Sequence, residues 1–147
     1  MIYTPMTKRA MILAYNAHHG QFDKAGIPYI LHPVHLAEQM DDEIACTVAL
    51  LHDTVEDTSI TLADLATEFP PQVVEALALL THDPAIDYFD YVRAIKQNPT
   101  AAKVKLADLA HNSDTTRCAG TAITAERMAA WKEKYTKAIQ LLTDTEE

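Results

Sequence analysis

Apolar residues recur at three- and four-residue spacing along most of the chain, and no run alternates with the period of two that a half-buried strand needs. The pattern predicts helices almost throughout and an all-α fold. Thr4 followed by Pro5 reads as an N-cap and first helical residue, opening a helix over 5–19 that Gly20 stops. Residues 20–30 hold two of the three glycines and a proline, and predict a loop. Pro33 is expected to begin a short helix over 33–39. His32 is expected to stand outside it, because a residue before proline is steered away from α geometry. A third helix over 41–57 turns Ala45, Val48, Ala49, Leu51 and Val55 inward and ends at Thr58-Ser59. Thr61 and Asp64 make a capping-box pattern for a helix over 61–69, and Pro70-Pro71 separates it from a helix over 71–80. Helices over 88–96 and 100–118 follow, divided at Asn98-Pro99. Thr124 caps a last amphipathic helix through Trp131, Tyr135, Ile139 and Leu142, and the acidic tail at 143–147 is expected to fray.

With 147 residues, 48% of them hydrophobic, the chain is long enough for one well-buried core and too short for two. One helical domain over 1–147 is therefore expected. A formal charge of −9 disfavours nucleic acid and anionic membrane as partners, since both call for a basic surface. Lys8, Arg9 and Asn16 interrupt the N-terminal segment, so neither a secretory signal nor a membrane span is read there, and a cytoplasmic protein is expected. Cys46 and Cys118 lack the spacing of a metal site. They read as buried reduced thiols, with a disulfide left open.

Candidate chemistry gathers in three places. His52, Asp53, Glu56 and Asp57 end the third helix; if that helix is continuous, His52 lies under Glu56 and Asp53 under Asp57. His32 stands at a helix entrance, and Asp108 shares a helical face with Lys105 and Asn112. Two imidazoles and two carboxylates suit manganese, ferrous iron or zinc, whereas magnesium or calcium favours more oxygen. Plainer roles exist for each. His52-Asp53 alone would serve as a hydrogen-bonded pair at a helix end. Glu56 and Asp57 would be solvated, although carboxylates there oppose the helix dipole. Lys24 would be a solvated loop lysine and Asn112 a partner of the backbone. Trp131, Tyr135 and Phe69 fall at core spacing. His18, His19, His35 and His82 have no comparable placement, and His111 is the exception nearest to the chemistry.

Three sets of residues resemble one known family. They are Gly20-Gln21, Lys24, Gly26, Pro28-Tyr29-Ile30 and His32-Pro33; then Leu51 through Thr58; then Val104-Lys105-Leu106-Ala107-Asp108 with His111-Asn112. In this order they resemble the HD-domain phosphohydrolases, and within them the alarmone hydrolase domain of Rel/Spo-type (p)ppGpp enzymes. The similarity runs from the first helix to Asn112. It implies a compact HD-type helical fold with one divalent metal, manganese first and iron or zinc next, held by His32, His52, Asp53 and Asp108. It further implies Glu56 and Asp57 as the catalytic acids that orient or activate water, and Lys24 and Asn112 as nucleotide contacts. Lys105, three residues before Asp108, would meet phosphate or orient a carboxylate.

The implied activity is removal of the 3′-pyrophosphate from guanosine (p)ppGpp, a small phosphorylated nucleotide, by a stand-alone hydrolase without a synthetase domain. Alternatives are hydrolysis of another nucleotide or phosphate ester, or nucleotide sensing without turnover. Some positions depart from the family pattern. Asp23 stands where the long Rel/Spo enzymes usually carry an arginine that packs on guanine. Leu109 and Ser113-Asp114 likewise replace a frequent arginine and a Met-Arg pair.

Overall fold

A computed structural model describes residues 1–144. The elements are α1 (Pro5–His18), α2 (Leu31–Glu38), α3 (Glu43–Leu51), α4 (Thr54–Asp57), α5 (Leu62–Ala66), α6 (Pro71–Leu80), α7 (Tyr88–Ile95), α8 (Pro99–Asn112), a 3-10 turn (Thr115–Cys118) and α9 (Ala125–Thr143). Among the described residues there is no strand, only an isolated bridge between Phe22 and Pro28. Among the described residues no helix is long and apolar enough to cross a membrane.

The fold is built around α3. Every residue from Ala45 to Leu51 is buried, so this helix is apolar on all sides and is wrapped by neighbours rather than laid on a surface. It packs against α1, α2, α6 and α8. Leu50 and Leu51 join Leu36, Val73, Leu77, Val92 and Val104 in the core. Asp42 starts the helix by accepting the Ala45 N–H at 2.7 Å. Gly20, with φ +83°, supplies the left-handed residue that ends α1, and Gly26, with φ +81°, turns the following loop.

Three local expectations give way to tertiary packing. The helix over 41–57 is two helices, because Asp53 leaves α geometry at φ −109°, ψ 2° and Thr54 Oγ1 donates back to the Leu51 carbonyl at 2.8 Å. His52 is consequently the C-cap of α3, and no continuous helix stacks it under Glu56. His32 lies inside α2 rather than before it. The turn at Pro28–Tyr29 starts the helix early, with the Leu31 N–H bonding the Pro28 carbonyl and the His32 N–H bonding the Tyr29 carbonyl. Pro33 then falls in the first turn, where a missing N–H costs nothing. The helix over 100–118 ends at Asn112. Ser113 Oγ donates to the Leu109 carbonyl and the Asp114 carboxylate takes the Thr116 N–H, so both side chains compete with the helical ladder.

At the C-terminus α9 holds through Thr143, and the Lys96 ammonium donates to the Asp144 carbonyl, so fraying does not begin at 143. Residues 145–147 lie outside the described residues. Both cysteines are free thiols; Cys46 is buried and Cys118 half-buried.

Truncating the central helix is expected to be costly. Leu50→Ala should lower stability by about 3 kcal/mol, whereas Ile12→Ala, at an exposed position of α1, should change it by no more than about 0.5 kcal/mol. Urea unfolding of the two variants checks both values.

Candidate metal centre

His32 from α2, His52 and Asp53 from the break between α3 and α4, and Asp108 from α8 converge, with one donor atom from each within 4.8 Å of all the others. His32 Nε2 is 2.8 Å from Asp108 Oδ1, and His52 Nε2 is 2.9 Å from Asp53 Oδ2. Both rings and Asp108 are buried, while Asp53 is partly open to a cavity of about 520 Å³.

The orientation of His52 is fixed by the backbone. Its Nδ1 donates to the Ala49 carbonyl at 2.7 Å, which turns Nε2 toward the carboxylates. That Nε2 is buried and, despite its short distance from Asp53, lies off a hydrogen-bonding direction. A buried nitrogen facing two carboxylate oxygens needs a proton or a cation between them. Burial disfavours a charged imidazole here, yet Asp53 and Asp108 outweigh it and push the His52 pKa well above the ordinary value. The two-nitrogen, two-oxygen set fits a divalent ion, and its binding would displace that proton.

Asp108 holds the cluster together. Burial raises its pKa, but the Lys105 ammonium, 2.8 Å from Oδ2, and the two imidazoles hold the carboxyl well below the usual range. Asn112 Nδ2 donates to Oδ1 at 3.1 Å. Lys105 and Asn112 thus contact a carboxylate of the cluster, and both also line the cavity. Burial disfavours the Lys105 ammonium, and Asp108 more than offsets it.

Glu56 and Asp57 reach the same cavity from α4, each offering an oxygen within 4.8 Å of Asp53. The His82 N–H donates to Glu56 Oε1 at 2.7 Å and fixes that side chain. Both carboxyls have raised pKa values, through burial first and the Asp53 charge next. Lys24 lies apart from the cluster, on the cavity rim, with its ammonium 4.7 Å from the Trp131 ring centroid.

Four further residues support or line this site, and His111 among them is the histidine that the sequence places nearest to the chemistry. Tyr29 Oη donates to Asp53 Oδ2, and burial together with the Asp53 charge keeps that phenol protonated. His111 Nδ1 and His32 Nδ1 share a hydrogen bond of 2.7 Å. Burial and the nearby Arg117 push the His111 pKa down to about 4, so it meets His32 as a neutral ring. Trp131 belongs to the cavity wall rather than the core, Tyr135 lines the cavity and also packs against the core, and only Phe69 of the three aromatics is buried. Tyr29 sits in a motif that was read as loop, and only the tertiary contact with Asp53 reveals its role.

Asp23 is committed to its own loop. Its Oδ1 takes the Ala25 and Ile27 N–H groups, and its Oδ2 pairs with Arg117 at 2.7 Å, which places a guanidinium in the cavity wall.

Residues 10–106 match the family model described as HD domain. The mouse guanosine-3′,5′-bis(diphosphate) 3′-pyrophosphohydrolase MESH1 is 34% identical over 133 residues, covering 80% of this chain and 74% of the mouse protein. The bifunctional (p)ppGpp synthase/hydrolase SpoT of Escherichia coli K12 is 32% identical over 123 residues, which cover 74% of this chain but 18% of SpoT. A solved structure described as a metazoan ortholog of SpoT that hydrolyzes ppGpp superposes with a TM-score of 0.73 at 25% identity, over 95% of this chain and 88% of that one.

The raised pKa values of Glu56 and Asp57 mean that their ionised forms are strained in the metal-free protein. Glu56→Gln keeps the acceptor for His82 and removes the charge. It should stabilise the metal-free protein at pH 7 by about 0.5 kcal/mol, a figure discounted for solvent screening. The advantage should vanish below pH 4.5, the ordinary glutamate pKa, where the wild-type carboxyl is protonated in folded and unfolded chains alike. Thermal unfolding at the two pH values checks the sign.

Proposed function

The chain belongs to the HD-domain family, and from that premise we propose a metal-dependent phosphohydrolase that removes the 3′-pyrophosphate from guanosine (p)ppGpp. The reading is carried by one observation: the buried, unbonded His52 Nε2 facing Asp53 and Asp108, which themselves line a cavity that also holds Glu56 and Asp57. The names of the mouse and E. coli relatives support the substrate.

In this reading His32, His52, Asp53 and Asp108 hold one divalent metal, and manganese is proposed on the mixed imidazole and carboxylate set. The metal supplies Lewis acidity, polarising a phosphoryl oxygen and lowering the pKa of water from roughly 16 to about 7. His32 is kept in register by His111, and His52 by the Ala49 carbonyl, so neither ring needs to reorient to bind. Tyr29 holds one oxygen of Asp53.

Glu56 is assigned as general base toward the attacking water, with its raised pKa strengthening it as a proton acceptor and the His82 N–H fixing its position. Asp57, beside it, orients the same water. Lys105 offsets the charge of Asp108 and faces the substrate phosphates from the cavity wall, while Asn112 and Lys24 contact the nucleotide. Water attacks the phosphorus bonded to the 3′ oxygen as Glu56 takes its proton, the bond from that phosphorus to the 3′ oxygen breaks, and the 3′ oxygen takes a proton back from Glu56 to leave as the ribose hydroxyl while pyrophosphate keeps the new P–O bond. The compartment proposed is the cytoplasm.

A second reading, hydrolysis of another nucleotide or phosphate ester, is favoured by Asp23. Its carboxylate is taken up by loop N–H groups and Arg117, so it offers no guanidinium to a guanine from that position.

Purified protein assayed for bound metal, and for products from ppGpp, pppGpp and common nucleotides with manganese added, tests these assignments. Asp53→Ala should lose both metal and turnover. Glu56→Ala should keep the metal and lose about 10²- to 10⁴-fold in kcat. Full activity in metal-free protein, or inactivity on guanine alarmones with turnover of another phosphate ester, would overturn the proposed reaction or its substrate respectively.

A further inference from the structure

The cavity is acidic at its floor and cationic at its rim. The floor carries Asp53, Glu56, Asp57 and Asp108, while Lys24 from the 20–30 loop and Lys134 from α9 stand exposed at the rim. Lys105 is spent on Asp108. Neither Lys24 nor Lys134 forms an ion pair with any described carboxylate. Each ammonium instead rests on an aromatic ring of the cavity wall, Lys24 4.7 Å from the Trp131 centroid and Lys134 4.1 Å from the Tyr88 centroid.

Those rings set direction without removing charge. A cation–π contact at an exposed position contributes about 0.5–1 kcal/mol, enough to bias where a flexible lysine points while leaving it fully charged. Lys105 Nζ lies 5.9 Å from the same Tyr88 ring, so Lys105 and Lys134 approach one ring from two helices. The crowding is felt: partial burial first, and then the charges of Lys105 and Lys24, push the Lys134 pKa down. In a chain of net charge −9, two ammonium groups that converge on one opening, where the nearby Asp23 is already paired with Arg117, form a place for an anion that the rest of the surface repels.

We propose that Lys134, together with Lys24, forms a second anion subsite at the rim of the cavity that takes a phosphate group other than the one being cleaved, and so selects nucleotides phosphorylated at two positions. The proposal deepens the hydrolase reading and rests on it for the identity of the cleaved group. Lys134 is the specificity-determining residue. Its stem follows Tyr88, its charge meets the uncleaved phosphates, and its place on α9 sets that anchor apart from the ligands on α2, α3 and α8. A substrate with phosphate at one end only would leave the rim unmatched.

Two measurements decide it. Inorganic pyrophosphate is titrated into metal-free protein at low ionic strength, where the acidic floor repels the probe and the rim ammonium groups attract it. Lys134→Met keeps the apolar stem and should weaken binding about tenfold, and Lys134→Arg should restore it. Equal affinity of wild type and Lys134→Met overturns the subsite, whether or not the protein turns over any nucleotide. In the second, ppGpp is compared with the guanosine 3′-diphosphate analogue that carries a free 5′ hydroxyl. Lys134→Met should lower the preference for ppGpp about tenfold, with the change in KM rather than kcat. An unchanged preference overturns the selective role. If neither nucleotide is hydrolysed, the proposed reaction falls, and the pyrophosphate titration still decides the subsite.

Discussion

The constraint on which the structure turns is the burial of the Asp108 carboxylate. A carboxylate out of water is costly, and α8 delivers this one to the interior with Lys105 one turn before it and Asn112 one turn after. Those two partners come from its own helix. The imidazoles of His32 and His52 come from elsewhere, and their nitrogens complete the surroundings of Oδ1. Because each partner answers the charge of another, α2, α3 and α8 are tied at one point by electrostatics as well as by packing. An ion held there would satisfy the His52 nitrogen that protein groups leave unbonded.

That point sits at the end of the most buried helix. The apolar residues of α3 fix its position from all sides, so the location of His52 at its C-cap is set by the core. The break at Asp53 then turns the chain so that one side chain faces the cluster and the next helix carries Glu56 and Asp57 to the cavity. A continuous helix would have kept four polar groups in two rows on one surface. The broken one parts them: His52 and Asp53 join the buried cluster, and Glu56 and Asp57 reach the cavity.

The cavity sorts its charges by depth. Glu56 and Asp57 are pushed toward protonation by partial burial and by Asp53, a local cost of the kind that functional sites carry. The compensating cations are set by distance: Lys105 reaches the floor, whereas Lys24 and Lys134 stay at the rim on aromatic rings. Carboxylates at the floor and ammonium groups toward solvent divide the cavity into two regions of opposite charge.

Much was readable from local chemistry. The caps at Thr4, Thr61 and Thr124 place helix starts because each side-chain oxygen meets an N–H three residues on, and Pro71–Leu80 appears with the bounds its prolines and apolar spacing predict. Residue types with metal-binding chemistry at 32, 52, 53 and 108 were also visible, as was the family likeness of their order. What the sequence could not specify was everything that depends on partners far along the chain. Asp53 leaves the helix, Tyr29 meets Asp53 across 24 residues, and His111 meets His32 across 79. Trp131 joins the cavity wall instead of the core. Helix starts and ligand types are decided within a turn or two of backbone, so the sequence by itself determined them. The meeting of those ligands, and the sorting of acids to the floor and lysines to the rim, were decided only when burial of α3 brought distant segments together and left each charge to find its partner there.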